Sequence, residues 1–176
     1  MPRRIIPAQD HKTVPVVRRA VYADAQTFIK GAVLGINAGG AVIELASNPT
    51  DGTVVGVALE DAGSAPGFNV ANDNLVVFRT GTEQSISMVD LVKKPDQIFS
   101  GRFTDGSGVD VAPTQAIIND LYQLIRLASG EWTVNQAATA TPDVQIVDIV
   151  LNEGAAAAGN YVLFRFLPVL IRVTAA

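Results

Sequence analysis

Turn-forming residues recur about every 8–12 positions along much of this chain, and the apolar stretches between them are strand-length and rich in β-branched residues. Asn37-Ala38-Gly39-Gly40 separates "TFIKGAVLGI" (27–36) from "AVIELAS" (41–47), where Val42 and Glu44 alternate with Ile43 and Leu45. A β-hairpin follows from that pattern. "NPTDG" (48–52) places Pro49 at a turn corner and lets Gly52 take positive φ, and it leads into the strand "TVVGVALEDA" (53–62). Gly56 inside that strand marks a bulge or a close backbone approach.

Beyond the Gly/Pro loop "AGSAPGFNVANDN" come the strands "LVVFRT" (75–80) and "QSISMVDLV" (84–92), then the breaker "KKPD", the strand "QIFSGRF" (97–103) and the surface loop "TDGSGVDVAP" (104–113). One segment supports two readings. In "PTQAIINDLYQLIRLAS" (113–129), Ile117, Leu121, Leu124, Ile125 and Ala128 share a helical face, yet "YQLIRLASGEWTVN" (122–135) also reads as two strands around Ser129-Gly130. "DVQIVDIVLNE" (143–153) alternates as a strand. "YVLFRFLPVLIRV" (161–173) is apolar enough for a strand buried on both faces, with a break or bulge at Pro168. The fold class is therefore mainly β: a compact β-barrel or β-sandwich body over 23–176, divisible into two lobes near 23–94 and 95–176, with a short helix near 114–128 as the alternative to a hairpin.

Residues 1–22 read as an extended N-terminal arm, because Pro2, Pro7 and Pro15 interrupt any helix. Residues 1–20 carry +4 from Arg3, Arg4, Lys12, Arg18 and Arg19 against Asp10, which leaves −8 on the remainder of a chain of net charge −4. Ile5, Ile6, Val14, Val16 and Val17 gain by burial, either against another subunit or as the first edge strand of their own domain. Arg3, Arg4, Ile5, Ile6, Val14, Val16, Val17, Arg18 and Arg19 are accordingly the candidate interface residues. An acidic body is unsuited to a nucleic-acid groove, which is built from clustered Lys and Arg. The basic arm fits an acidic protein neighbour at least as well as nucleic acid.

With 176 residues the chain can bury a core without staples, and the absence of Cys removes disulfides, thiolate metal sites and cysteine nucleophiles. "MPRRIIPAQD" lacks a signal-peptide apolar core, and the last apolar run is broken by Arg165, Pro168 and Arg172, so a soluble protein is expected.

Catalytic chemistry has few carriers. His11, the one histidine, sits in the arm. "GINAGG" does not match a dinucleotide or P-loop pattern, and "AGSAPG" is not a nucleophile elbow. Asn72 to Asn74, and Asp105 with Asp110, are calcium-type residues without the EF-hand spacing, and read more simply as Asx turns. Glu60 and Asp61 are adjacent on a strand end and should point to opposite faces, which does not suit an acid–base pair. Trp132 reads as a core residue. No catalytic residue, cofactor or metal is expected. A cellular β-rich binding module, or a small hydrolase using Asp and Ser side chains, is the contrasting class.

The run from Phe28 to Gly63, with Lys30-Gly31-Ala32, Ile36 to Gly40, Val42 to Ser47 and Pro49 to Gly63, resembles the decoration or cement proteins of tailed bacteriophages. The order "PDQIFSGRF", "LYQLIRLASGEWTVN", "VQIVDIVLNE", "YVLFRFLP" is similar to their second half. The resemblance implies a β-rich structural virion protein, made in the host cytoplasm and bound to the outer capsid surface. Its partners would be the major capsid protein and further copies of itself, typically as a homotrimer, with no membrane and no specific nucleic acid. Arg3 to Val17 would be the segment lying along the capsid or a neighbouring subunit. A tail-tube, tail-tip or head-completion component is the nearest structural alternative.

Overall fold

The computed structural model describes residues 5–7, 15–23, 26–62, 85–137, 140–150 and 161–172. Eleven strands lie among them: β1 (Ile6–Pro7), β2 (Val17–Val21), β3 (Val33–Ile36), β4 (Val42–Glu44), β5 (Gly56–Ala58), β6 (Ser85–Asp90), β7 (Ile98–Thr104), β8 (Leu121–Arg126), β9 (Trp132–Asn135), β10 (Val144–Val150) and β11 (Tyr161–Phe166). The protein is mainly β. No helix among the described residues is long and apolar enough to cross a membrane.

Ten of the strands form two five-stranded units, and β1 adds to the second by pairing with β7. In the first, β2-β6-β5-β3-β4 are neighbours in that order, and a parallel bridge from Tyr22 to Val42 joins the ends, with the Ala23 N–H donating to the Val42 carbonyl at 2.9 Å. In the second, β7-β11-β10-β8-β9 are neighbours and β9 returns to β7 in parallel, Phe103 opposite Val134, which closes a barrel. Counted from its own first strand, each unit has the circular order 1-5-4-2-3, antiparallel throughout except where strand 3 meets strand 1. Closing the sheet removes the open edges on which strands pair with strangers.

The shared order starts from a shared turn. Asn37 N–H donates to the Ala41 carbonyl (2.9 Å) and Gly40 N–H to Asn37 (3.0 Å); Leu127 N–H donates to Glu131 (2.8 Å) and Gly130 N–H to Leu127 (2.8 Å). Gly40 and Gly130 both have φ of 82°, where a side chain is strained. Each turn fixes the register of the strand 2–strand 3 hairpin in its lobe.

Alternation then selects the core. Tyr122 and Leu124 point inward from β8, Val162, Phe164 and Phe166 from β11, and Phe99 and Phe103 from β7. A register shift between Ile146 and Asp148 on β10 keeps both Ile146 and Ile149 buried and turns Asp148 outward. Aromatic rings fill this barrel: Phe99 packs on Phe164 and Phe166 at centroid distances of 6.0 and 5.5 Å, and Phe103 meets Tyr122 edge-on at 5.2 Å. The first unit is filled by Val33, Leu34, Val57, Ile86, Met88 and Val89 around Tyr22 and Phe28. Gly56 there is the expected close approach, since a Cβ would fall on the Val89 carbonyl and the Met88 methyl.

Of the two readings of 113–129 the hairpin holds: β8 and β9 pair, and helix is confined to one 3-10 turn at Gln115–Ile117. Asn119, at φ 76°, turns the chain out of any helical path, and the Tyr122/Leu124 alternation buries one side of a strand. One expectation needs correction. The 161–173 segment is not buried on both faces: Tyr161, Leu163 and Arg165 are half-buried or exposed, and the strand gives way to a 3-10 turn at Pro168–Leu170. β11 turns Val162, Phe164 and Phe166 into the barrel and Tyr161, Leu163 and Arg165 away from it.

Candidate interaction surface at the junction of the lobes

The two ends of the described chain cross between lobes. β1 precedes the first lobe in sequence but pairs with β7 of the second, Ile6 opposite Ser100, and Ile5 is 1% exposed in the common core. Ile171 follows the second lobe but forms a parallel bridge with Val54 of the first, supported by Val54 N–H to Leu170 (2.9 Å), Arg172 N–H to Val54 (2.8 Å) and Gly52 N–H to Val169 (2.8 Å). Each lobe therefore holds a strap from the far end of the other.

Polar contacts complete the seam. Glu44 on β4 accepts a hydrogen bond from Trp132 Nε1 (2.9 Å) and forms an ion pair with Arg126 Nε (2.8 Å). Arg126 N–H donates to Ser47 Oγ at 2.9 Å, and Asn48 N–H donates to the Leu124 carbonyl at 3.0 Å. Trp132 is buried, as its sequence context predicts, yet its indole N–H makes it a junction residue as well as a core one.

A groove of about 700 Å³ runs along this seam, between the Asn48–Asp51 turn of the first lobe, the Ala140–Asp143 segment of the second, and Leu167, Val169 and Leu170. Asp143, on its floor, is 1% exposed. Its placement has a local cause: the β10–β8 pairing runs out at Val144 opposite Tyr122, so the Leu124 N–H further along has no strand partner there. Asp143 Oδ2 accepts that N–H at 2.6 Å. Burial, opposed in part by this hydrogen bond and reinforced by the charge of Asp51, pushes the Asp143 carboxyl up from 3.8 to about 7. Oδ1 has no hydrogen bond, and neither Asp143 nor Asp51 has an ion pair among the described residues. In the sequence Asp51 belongs to the "NPTDG" turn and Asp143 is marked only by the Pro-Asp pair just ahead of a strand.

The remaining charged groups of note do structural work. Arg102 reaches from β7 to Asp110 (2.7 Å), Glu131 (2.7 Å) and the Gly108 carbonyl (2.8 Å), tying the 105–110 loop to the β8–β9 turn. Burial alone would lower its pKa, but Asp110 and Glu131 outweigh burial and raise it. Asp105 accepts from Ser107 N–H, Ser107 Oγ and Val109 N–H, as an Asx turn does, and the Ser107 bonds hold its carboxyl below the usual range. Glu60 accepts from Ser87 on β6, while Asp61 accepts from the Lys30 N–H, so the two carboxylates face different partners. Asn72 to Asn74 and His11 lie outside the described residues.

Of the two arrangements open to the N-terminal segment, its described residues pair within their own chain. Val16 accepts from the Asp90 N–H, Val17 lies opposite Val89 and is 50% exposed, Arg18 Nε sits 3.2 Å from Asp90 Oδ2, and Arg19 Nε donates to Ser85 Oγ at 3.3 Å. Ile5 and the Ile6 backbone belong to the strap on β7; Arg3, Arg4 and Val14 lie outside the described residues. Among the described candidates, Val17 is thus the apolar side chain most available to a neighbour. No protein-family model matches the chain, and no curated protein matches it.

Proposed function

We propose that this protein is a structural virion component that binds the outer surface of a tailed-phage capsid and reinforces contacts between major capsid protein subunits, as a homotrimer. The observation that carries the reading is the exchange of straps between the lobes, β1 onto β7 and Ile171 onto Val54. A cement protein transmits load between subunits, so its own lobes must resist being pulled apart. Backbone pairing in both directions across one seam resists shear better than a flexible linker would, because separation breaks several hydrogen bonds together. The resemblance of Phe28–Gly63 and of the second half to decoration proteins supplies the assembly. Copies repeated over a shell add modest contacts through avidity.

The test is binding to empty shells of the major capsid protein encoded in the same genome. Saturable occupancy with a raised shell-disruption temperature is the expected result, and no sedimentation with shells overturns it. A closed ring formed by the purified protein alone, seen by particle imaging, would assign it to the tail instead.

A further inference from the structure

We propose that the groove at the lobe junction receives a lysine or arginine side chain carried by a protein partner. Asp143 is a carboxylate almost wholly removed from solvent, with one oxygen that has no hydrogen bond among the described residues, and it lines an open groove rather than a closed core. A second carboxylate, Asp51, lines the same groove from the opposite lobe, and its charge raises the cost of ionising Asp143. A buried carboxylate beside a like charge is costly to ionise, and a cation brought to it relieves that.

The walls narrow the kind of cation. Leu167, Val169 and Leu170 line one side, with Val169 55% exposed, and prolines 49 and 142 flank the carboxylates. Lys and Arg match this mixture, since they bury an apolar stem and present a charged head. A bare calcium ion takes six to eight oxygens and gains nothing from an aliphatic wall. Under the function proposed above, which this inference rests on for the source of the side chain, the partner is the capsid shell; the chemistry of the groove does not depend on it. The charge of Asp51 helps keep the proton on Asp143, and a cation bound in the groove should draw it off. Affinity should therefore rise from pH 6 to pH 8.

The experiment is a titration of the full-length, isotope-labelled protein with the blocked peptide Ala-Val-Thr-Lys-Thr-Val-Ala and its norleucine counterpart, followed by amide NMR. The lysine peptide should shift the Asn48, Leu124, Asp143 and Leu170 amides saturably, the norleucine peptide at least tenfold more weakly. Asp51→Asn with Asp143→Asn should also weaken the lysine peptide tenfold or more, and removal of the carboxylates should abolish the pH dependence. Asparagine retains an oxygen for the Leu124 N–H, and the unchanged remainder of the spectrum checks the fold. Equal shifts by both peptides, or undiminished binding by the double variant, overturn the proposal. So does saturable binding of 1 mM calcium at these amides with no response to the peptide. Shell occupancy is read separately: shell binding with a groove indifferent to lysine sinks this inference alone, whereas a lysine-selective groove in a protein that ignores shells sinks the proposed function alone.

Discussion

The two lobes share a strand order and a hairpin turn but are filled differently. The second packs Phe99, Phe103, Tyr122, Phe164 and Phe166 into a closed barrel; the first packs mostly aliphatic side chains and brings β5 against β6 so closely that position 56 has no room for a Cβ. The comparison teaches that turns and register set this topology, while the interior volume can be met by rings on one side and by close backbone approach on the other.

The largest effect should come from emptying the aromatic barrel. Phe164 touches two other rings and is fully buried, so Phe164→Ala should cost about 3–5 kcal/mol in denaturant unfolding. Because the lobes are strapped together, Trp132 fluorescence and far-UV circular dichroism should report one shared transition; two separated transitions would show that the lobes melt independently. The matching lesion in the first lobe is overfilling. Gly56→Ala should cost roughly 1–3 kcal/mol, as the β5–β6 pair must spread, and an unchanged denaturation midpoint would contradict the close approach.

At the seam the sign reverses. Folded Asp143 titrates near 7 against 3.8 for an ordinary Asp, so the folded state holds the proton more tightly across that window. Its contribution to stability is greatest below about pH 4, falls as pH rises towards 7, and is flat above. Asp143→Asn should therefore stabilise the protein at pH 7.5 by roughly 2 kcal/mol, less than the full linkage value because the groove is open, and flatten the pH profile. A variant less stable than the parent at pH 7.5 would refute this. The smallest expected effects are about 1 kcal/mol each, for Gly40→Ala and Gly130→Ala, equal in both lobes because both positions have φ of 82°. Unequal losses in thermal melts would mean that lobe context, rather than backbone strain, controls the turns.

The hairpin turns and the break at Pro168 were legible because each depends on residues within a few positions. Gly56 was legible because a glycine inside a strand marks a bulge or a close approach even when the approaching Met88 and Val89 are distant in sequence. The choice between helix and hairpin at 114–128 was not, since Leu121, Leu124 and Ile125 suit either period and the deciding factor is the distant pairing of β8 with β9 and β10. A barrel was legible beside a sandwich, but which strands close it, and the aspartates of the groove, were hidden for the same reason. Asp51 and Asp143 are far apart in sequence and become neighbours on one groove when Ile171 reaches Val54. Asp51 has no local mark beyond its turn, and Asp143 has only the preceding Pro142 at the start of a strand.

The strap at the start of the chain also sets a schedule. β1 leaves the ribosome first, yet its partner β7 is made about ninety residues later, and Val54 waits still longer for Ile171. Pairings so remote in sequence are slow to form and leave early strands uncovered while synthesis continues. Neither lobe can take its final form until its distant strap has been made, so a chain cut short before Ile171 also loses a pairing of Val54.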